Sequence, residues 1–404
     1  MRASRSGVLR AVAAATSVLC LAACSSTQAP GKGTWSASSS HAPSTSPSKT
    51  AKPKPAARIS VTPYDKQKSV GPRARVNVKV THGRLSHVTV TDSHGHKLVG
   101  VANKTDTLWV TRSNLAYKAV YTVRATAKDA HGLVTRSVTT FHSAWPRKQV
   151  YPAISPLGAS TVGVGMPVVV YFPHPVSDTK TVQEHMSVGG SPKQAGTWHW
   201  FGDNREAHWR PKNYWTAHTR VTVKVNLFGV NLGDGYWGKT NRTVIFHIGD
   251  KHISIANSIT HKMRVYNGSK LVENFPVSMG KEVTGRWTHS GIHVVNARNA
   301  VKHMDSSTFG LALDAPGGYK ATVRWATRIS NNGEFVHSAP WSVKQQGHSN
   351  ASHGCINLTP KRAKWFYNFS RIGDVVQVIG TPVQLKPSDG DIYDWTIPWD
   401  EWRR

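Results

Sequence analysis

The residues best suited to covalent chemistry lie in two short blocks, His337-Ser338-Ala339-Pro340-Trp341 and Ser352-His353-Gly354-Cys355-Ile356-Asn357. A thiol attacks as its thiolate, and at an ordinary pKa of about 8.5 only a few per cent is ionised at pH 7. A nearby imidazole can take that proton and hold an ion pair. Cys355 therefore reads as a nucleophile and His337 as its base, within reach on a neighbouring strand. Gly354 permits close backbone approach beside the nucleophile, where amide N–H groups could point at a developing oxyanion. Two other readings use the same residues. His348, His353 and Cys355 could supply the three ligands of a catalytic zinc, with His353 and Cys355 sharing a face on a strand. Against zinc, ligating histidines usually lean on a carboxylate, and no Asp or Glu lies between Glu334 and Asp374. A structural buried cysteine is the plainest reading, and the Gly- and Ser-rich loop disfavours it.

These residues need a scaffold, and residues 251–380 have the pattern of a β-rich one. Met263–Tyr266 and Lys270–Val272 flank Asn267-Gly268, the pair favoured in type I′ turns, which predicts a hairpin. Strands are expected around His293–Asn296, Ala321–Arg328 and Asp374–Ile379. One amphipathic helix is legible, with Thr359 as cap, Pro360 at the first helical position, then Ala363, Trp365, Phe366 and Phe369. Residues 381–404 form an extension whose stretch Asp394–Trp402 is too aromatic for a loose end and is expected to pack back onto the body.

Upstream, residues 58–147 alternate with period two at Arg75–Val80 and Tyr121–Ala127, with shorter runs at His87–Val90 and Ser137–Phe141. Turn signals at Ser93–His96 and Asp129–Gly132 separate them, as in an antiparallel sandwich of immunoglobulin type. A second such module is expected over 148–250, with strands at Val168–Phe172, Thr219–Leu227 and Thr243–Ile248. Its Trp198, Trp200 and Trp209 read as core or inter-sheet residues. Neither module shows a catalytic constellation, so both read as spacers. Residues 24–57 are mostly Ser, Thr, Pro, Ala, Gly and Lys, the composition of a flexible tether. Arg2, Arg5 and Arg10 precede the apolar run Ala11–Ala23, the layout of an export signal over 1–23. The run ends in Leu21-Ala22-Ala23-Cys24, which resembles a bacterial lipobox with Cys24 as the lipidated residue. Cys20 would leave with the signal, so Cys355 would be the one free thiol of an exported chain.

Composition sets outer bounds. The chain has 404 residues, 39% hydrophobic and 18% charged, enough for packed cores. Lys+Arg 51 against Asp+Glu 21 gives a formal charge of +30, which suits anionic lipid headgroups and phosphate-bearing wall polymers; export argues against nucleic acid. No run reaches the roughly 18 apolar residues of a membrane span. Three Cys exclude a disulfide-dense scaffold and a four-cysteine metal site.

The order of these residues closely resembles the L,D-transpeptidases of actinobacterial cell walls, whose catalytic domain has the YkuD fold. The resemblance covers the lipobox, both β modules, the two blocks around His337 and Cys355, and the tail Trp-Thr-Ile-Pro-Trp-Asp-Glu-Trp. It implies a mainly β chain: two immunoglobulin-like β-sandwich modules, then a YkuD-type catalytic domain with one clear helix and a C-terminal aromatic tail. It implies Cys355 as nucleophile, His337 as general base and then acid, and the Ser338 backbone carbonyl as the group orienting His337. His353 and Asn357 would flank and shape the site, and Tyr319 would be a lid tyrosine assisting the oxyanion hole. Met304 and Trp341 would line the donor cleft, Asn332 and Gly333 would contact substrate, and Ser352 and Gly354 complete the substrate-binding set. The implied activity is 3→3 crosslinking of peptidoglycan stem peptides through a Cys thioester, with release of D-Ala and acylation by carbapenems. No cofactor or metal is implied. The enzyme would be lipid-anchored on the outer face of the plasma membrane, facing the cell wall. An L,D-carboxypeptidase using water as acceptor, or a non-catalytic wall-binding lipoprotein, are the alternatives. One departure is visible: Thr288-His289-Ser290-Gly291 stands where the family commonly has Thr-Pro-x-Gly, which puts the rigidity of that cleft wall in doubt.

Overall fold

Period-two alternation becomes sheet wherever one face finds a core. In the computed structural model, which describes residues 53–389 and 392–404, the strand Val120–Lys128 buries Tyr121, Val123, Ala125 and Ala127 and turns the residues between them outward. The export signal, Cys24 and almost all of the tether lie outside the described residues. Among the described residues no helix is long and apolar enough to cross a membrane.

The first sandwich has a four-stranded sheet ordered Arg58–Thr62, Asn77–Thr81, Leu108–Thr111, Gly100–Ala102. Its second layer is the three-stranded sheet Arg84–Asp92, Val120–Lys128, Val134–His142. Val76 and Val78 from one layer meet Val90, Val123 and Phe141 from the other in a shared core. Each large apolar side chain buried this way contributes about 1.5–3 kcal/mol, and a one-residue slip would forfeit the whole set.

The next sandwich pairs the sheet Thr161–Val162, Asn241–Ile248, Arg220–Asn226, Met186–Ser191 with Gly196–Phe201, Glu206–Pro211, Val168–Tyr171, Ala153–Ser155. Trp198 sits opposite Trp209 across two strands, and Trp209 stacks on Trp215 at 5.1 Å, so these tryptophans are core. A short helix, Thr179–Glu184, was not anticipated. Only Val182 of it is buried, so it has no apolar stripe to read; its cap is Asp178, whose carboxylate accepts from the Thr181 amide at 2.9 Å.

Downstream, a five-stranded sheet is ordered Lys270–Pro276, Lys262–Asn267, His252–Asn257, Val375–Ile379, Gly291–Val294. A four-stranded sheet is ordered Ala297–Asp305, Lys320–Arg328, Phe335–Ser338, Ile356–Leu358. The expected helix spans Pro360–Phe369 with Thr359 as N-cap, and it buries Ala363 and Phe366 in a core to which both sheets contribute. The hairpin turn is shifted by one residue from the expectation. Asn267 still pairs with Lys270, leaving Gly268-Ser269 as the loop, and positive φ falls on Gly268 alone. That is the demand of a II′ turn, with glycine at its first central position, rather than of an Asn-Gly I′ turn.

The second sandwich and the downstream sheets are fastened in two places. The Gly163 amide donates to the Ile372 carbonyl and that of Gly165 to the Gly373 carbonyl, both at 2.8 Å. A Cβ on Gly163 would stand 2.2 Å from the Asp374 nitrogen, so only glycine permits this approach. The second fastening is the aromatic tail, which packs back as expected. Trp402 is completely buried and its indole N–H donates to the Thr197 carbonyl at 3.1 Å. The Arg210 guanidinium lies over the rings of Trp395, Trp399 and Trp402 at 4.6, 5.3 and 4.5 Å.

Beneath the tail, buried Asp394 meets buried His208 at 3.1 Å, and Glu206 reaches the other ring nitrogen at 3.2 Å. Burial alone would push the His208 pKa down, but the two carboxylates overcome it and raise it to about 9. A folded-state pKa above the unfolded value gives stability that is complete below about pH 6.5 and is lost as pH rises through about 9. The melting temperature is therefore expected to fall between pH 6.5 and 9. In His208→Gln, thermal unfolding across that window should lose this component of the slope.

Candidate active site

The strand Phe335–Ser338 is buried at every position, and it runs parallel to Ile356–Leu358 with His337 opposite Asn357. Parallel neighbours need a long crossover, and here residues 339–355 make it. Asn350 pins that crossover, donating to the Ser258 carbonyl and hydroxyl at 3.1 and 2.9 Å while accepting from the Met279 amide at 3.0 Å. The crossover delivers Cys355 to the start of the strand beside that of His337.

His337 and Cys355 line one cavity of about 300 Å³. Met304, Tyr319, Trp341, Ser352, His353 and Asn357 line it too, so eight of the residues singled out from sequence converge there. Ala321, Val323 and Ala351 complete the wall and carry no chemical signal in the sequence. Cys355 is 5% exposed, whereas Trp341 at the rim is 61% exposed. Tyr319 stacks at a tilt on His353, with ring centres 4.8 Å apart. Asn357 donates to the Ser342 hydroxyl at 3.0 Å.

The His337 Nδ1 lies 2.8 Å from the Ser338 carbonyl oxygen. A carbonyl can only accept, so Nδ1 carries the proton, and in the neutral ring Nε2 is left as the basic atom. Burial drives the His337 pKa down to about 4, with the Ser338 carbonyl only partly offsetting it. Burial likewise drives the Cys355 thiol up to about 12; the Phe335 backbone amide works against this and the Glu334 charge adds to it. Burial thus works against the thiolate–imidazolium pair. Both partners are desolvated, and in a low-dielectric site two neutral groups are favoured over two charges. The thiol hydrogen rests on the Gly333 carbonyl, with sulfur 3.5 Å from that oxygen.

Two further expectations are corrected. Gly354 is not a glycine for want of space, since an added Cβ would find its nearest atom at an ordinary 3.6 Å. Its φ of +123° is what excludes other residues. Its amide, expected to be available to an oxyanion, donates instead to the Ser352 hydroxyl at 3.1 Å, which itself donates to the Cys355 carbonyl at 2.6 Å. Ser352 thereby ties the Cys355 loop together. Asn332, Gly333 and Gly354 are not among the residues lining the cavity of Cys355, although the Gly333 carbonyl touches its sulfur. Asn332 and Gly354 line a second cavity of about 330 Å³ with His289, His353 and Glu334, and Gly333 lines a third with Met304.

The zinc reading finds no support in the geometry. Among the described residues the ligand atoms that gather closely enough for a metal are those of Asp92, His94 and His96, on a turn of the first sandwich. His348 is exposed, and it does not join His353 and Cys355. The cleft wall at His289 also differs from expectation. Its amide and its ring Nδ1 each lie 2.8 Å from Glu334 Oε1, so two bonds to a buried carboxylate hold the turn whose rigidity the loss of the family's proline had put in doubt. Glu334 was overlooked in the sequence; the signal was there, as a lone acid directly before the apolar start of the His337 strand.

Taken with the two sandwiches, this sheet pair and its cleft define an immunoglobulin-like segment followed by a YkuD-type domain. Residues 67–231 match the bacterial Ig domain, and residues 250–378 match the L,D-transpeptidase catalytic domain of the YkuD family. L,D-transpeptidase 2 of Mycobacterium tuberculosis is 39% identical over 330 residues, covering 82% of this chain and 80% of its own. L,D-transpeptidase 5 of the same species is 34% identical over 355 residues, 87% of this chain and 77% of its own. The solved structure of an LD transpeptidase in complex with imipenem is 33% identical, with a TM-score of 0.50 over 58% of this chain and all of that one. The chain belongs to the L,D-transpeptidase family.

Proposed function

We propose that this protein forms 3→3 crosslinks in peptidoglycan through a thioester on Cys355. The observation that carries the reading is the fixed tautomer of His337, whose bond to the Ser338 carbonyl leaves Nε2 as base in the cavity that holds the thiol. In the first half-reaction the Cys355 proton passes to Nε2 as sulfur bonds to the carbonyl carbon of the third, diamino-acid residue of a tetrapeptide stem. The oxyanion forms beside Tyr319, whose phenol burial keeps protonated and able to donate. Collapse breaks the C–N bond, and D-Ala leaves with the proton held by His337. In the second half-reaction the side-chain amine of a neighbouring stem attacks the thioester, gives its proton to His337, and sulfur departs as the restored thiol.

Met304 and Trp341 are the donor-cleft walls in this reading, with Asn357, Ser352 and His353 shaping the floor around sulfur. Asn332, Gly333 and Gly354 act from the neighbouring cavities, the first two as a loop beside the nucleophile. The domain boundaries proposed are 58–147 and 148–250 for the spacer modules and 251–380 for the catalytic domain, with 381–404 as the packing extension. An export signal over 1–23, a lipid on Cys24 and a tether over 24–57 would place the enzyme outside the plasma membrane and facing the wall. The full-chain charge of +30, less the three arginines of the signal, suits anionic polymers there. No cofactor is needed for any step.

Incubation with purified disaccharide-tetrapeptide, followed by mass analysis, tests the proposal. A crosslinked dimer with loss of D-Ala supports it; tripeptide alone would make the enzyme a carboxypeptidase, and neither product would leave only a binding role. Tyr319→Phe is expected to keep the fold and lower turnover by about 10²–10³, the cost of one oxyanion donor. Steady-state kinetics unchanged by the substitution would remove Tyr319 from that role.

A further inference from the structure

The second cavity holds a charge arrangement that the two half-reactions do not use. Glu334 is 3% exposed and immediately precedes the strand of His337. Its Oε1 accepts from the His289 amide and ring, each at 2.8 Å, and its Oε2 accepts from the Ser330 hydroxyl at 3.2 Å. His293 Nδ1 stands 3.7 Å from Oε2. On the other side the Glu334 Cγ packs 3.7 Å from where a Gly354 Cβ would be, directly against the nucleophile loop. Asn332 Nδ2 lies 3.1 Å from the same His289 Nδ1. His289 therefore touches the residue on each side of Gly333, and Gly333 is the residue whose carbonyl takes the Cys355 thiol hydrogen.

A buried carboxylate without a counter-charge is costly, and beside a sulfur that must turn negative it also opposes the reaction. The other charged groups nearby act less directly. Asp389 and Lys386 bear on His289 with opposite signs, and Arg286 bears on His353 across the cavity. We propose that His289 and Glu334 are positioning residues for the nucleophile: their ion pair neutralises the charge behind Cys355 and holds Gly333 where its carbonyl meets the thiol. The proposal rests on Cys355 being the nucleophile. The His289 pKa is raised, first by its hydrogen bond to Glu334, so the cation persists to higher pH than in a free histidine.

The test is the rate of Cys355 alkylation by iodoacetamide in the full chain, with imipenem acylation measured alongside and thermal unfolding as control. Glu334→Gln removes the opposing charge and should speed alkylation about tenfold, the effect of one unit of thiol pKa. His289→Ala leaves the carboxylate uncompensated and should slow it by about the same factor; His289→Asn serves if that variant does not fold. The double variant should return near the wild-type rate. The advantage of wild type over His289→Ala should shrink as pH rises and His289 loses its proton, at a higher pH than a free histidine. Two single variants that slow alkylation alike, in step with lost stability, would reduce the pair to scaffolding and overturn the proposal, as would rates that do not move. If imipenem leaves wild-type Cys355 unmodified while alkylation responds as described, the transpeptidase reading fails and the pair's role stands.

Discussion

Cys355→Ala is expected to yield a folded protein that gains no mass with a carbapenem and makes no crosslink. Among the described residues Cys355 is the free cysteine, and it is the one thiol in a cavity whose other polar side chains include Tyr319, His337, Ser352, His353 and Asn357. Loss of a nucleophile in covalent catalysis costs about 10⁶ in rate, which here is indistinguishable from zero. The substitution removes one sulfur from a site already shaped by backbone bonds, so the unfolding temperature should move little. Intact-mass spectrometry after carbapenem treatment decides the matter; an adduct on the Ala variant would show that another group reacts.

His337→Ala is expected to slow acylation by about 10²–10⁴, the usual worth of a positioned general base. The pH dependence is the sharper signature. With its pKa held down to about 4 by burial, His337 is a free base at every pH above about 5, so wild-type acylation should be nearly flat from pH 6 to 9. Without it the reaction must wait for a thiol raised to about 12 to ionise unaided. The variant's rate should then climb about tenfold per pH unit over the same range. A flat profile in His337→Ala would show that a different group takes the proton.

The blocks that carry the chemistry were legible because short-range order in the chain survives into the fold. His337 and its own neighbour's carbonyl, Thr359 and the helix it caps, and the aromatic tail all depend on residues close in sequence or on burial that any tryptophan-rich end demands. Alternation at Tyr121–Ala127 revealed a strand for the same reason. What the sequence did not show depends on long-range company. Whether Cys355 rests as thiol or thiolate is decided by desolvation from several strands at once. Glu334 carried no assigned role in the sequence because its partner His289 lies 45 residues away. Gly268 rather than Asn267 takes the positive φ because the strand pairing, set by residues farther along, extends one position beyond the turn signal. Asn332 and Gly333, adjacent in sequence, were expected to contact one substrate; they line different cavities.

The resting state of the sulfur has a consequence for survival of the protein. Peroxide converts thiolates, not thiols, to sulfenic acid, and further oxidation to the sulfinic form is in most proteins permanent. A sulfur almost sealed from solvent, whose burial also favours the protonated form, offers oxidants little anion to attack. The same dry surroundings that oppose its ionisation would thus shield the proposed nucleophile between turnovers.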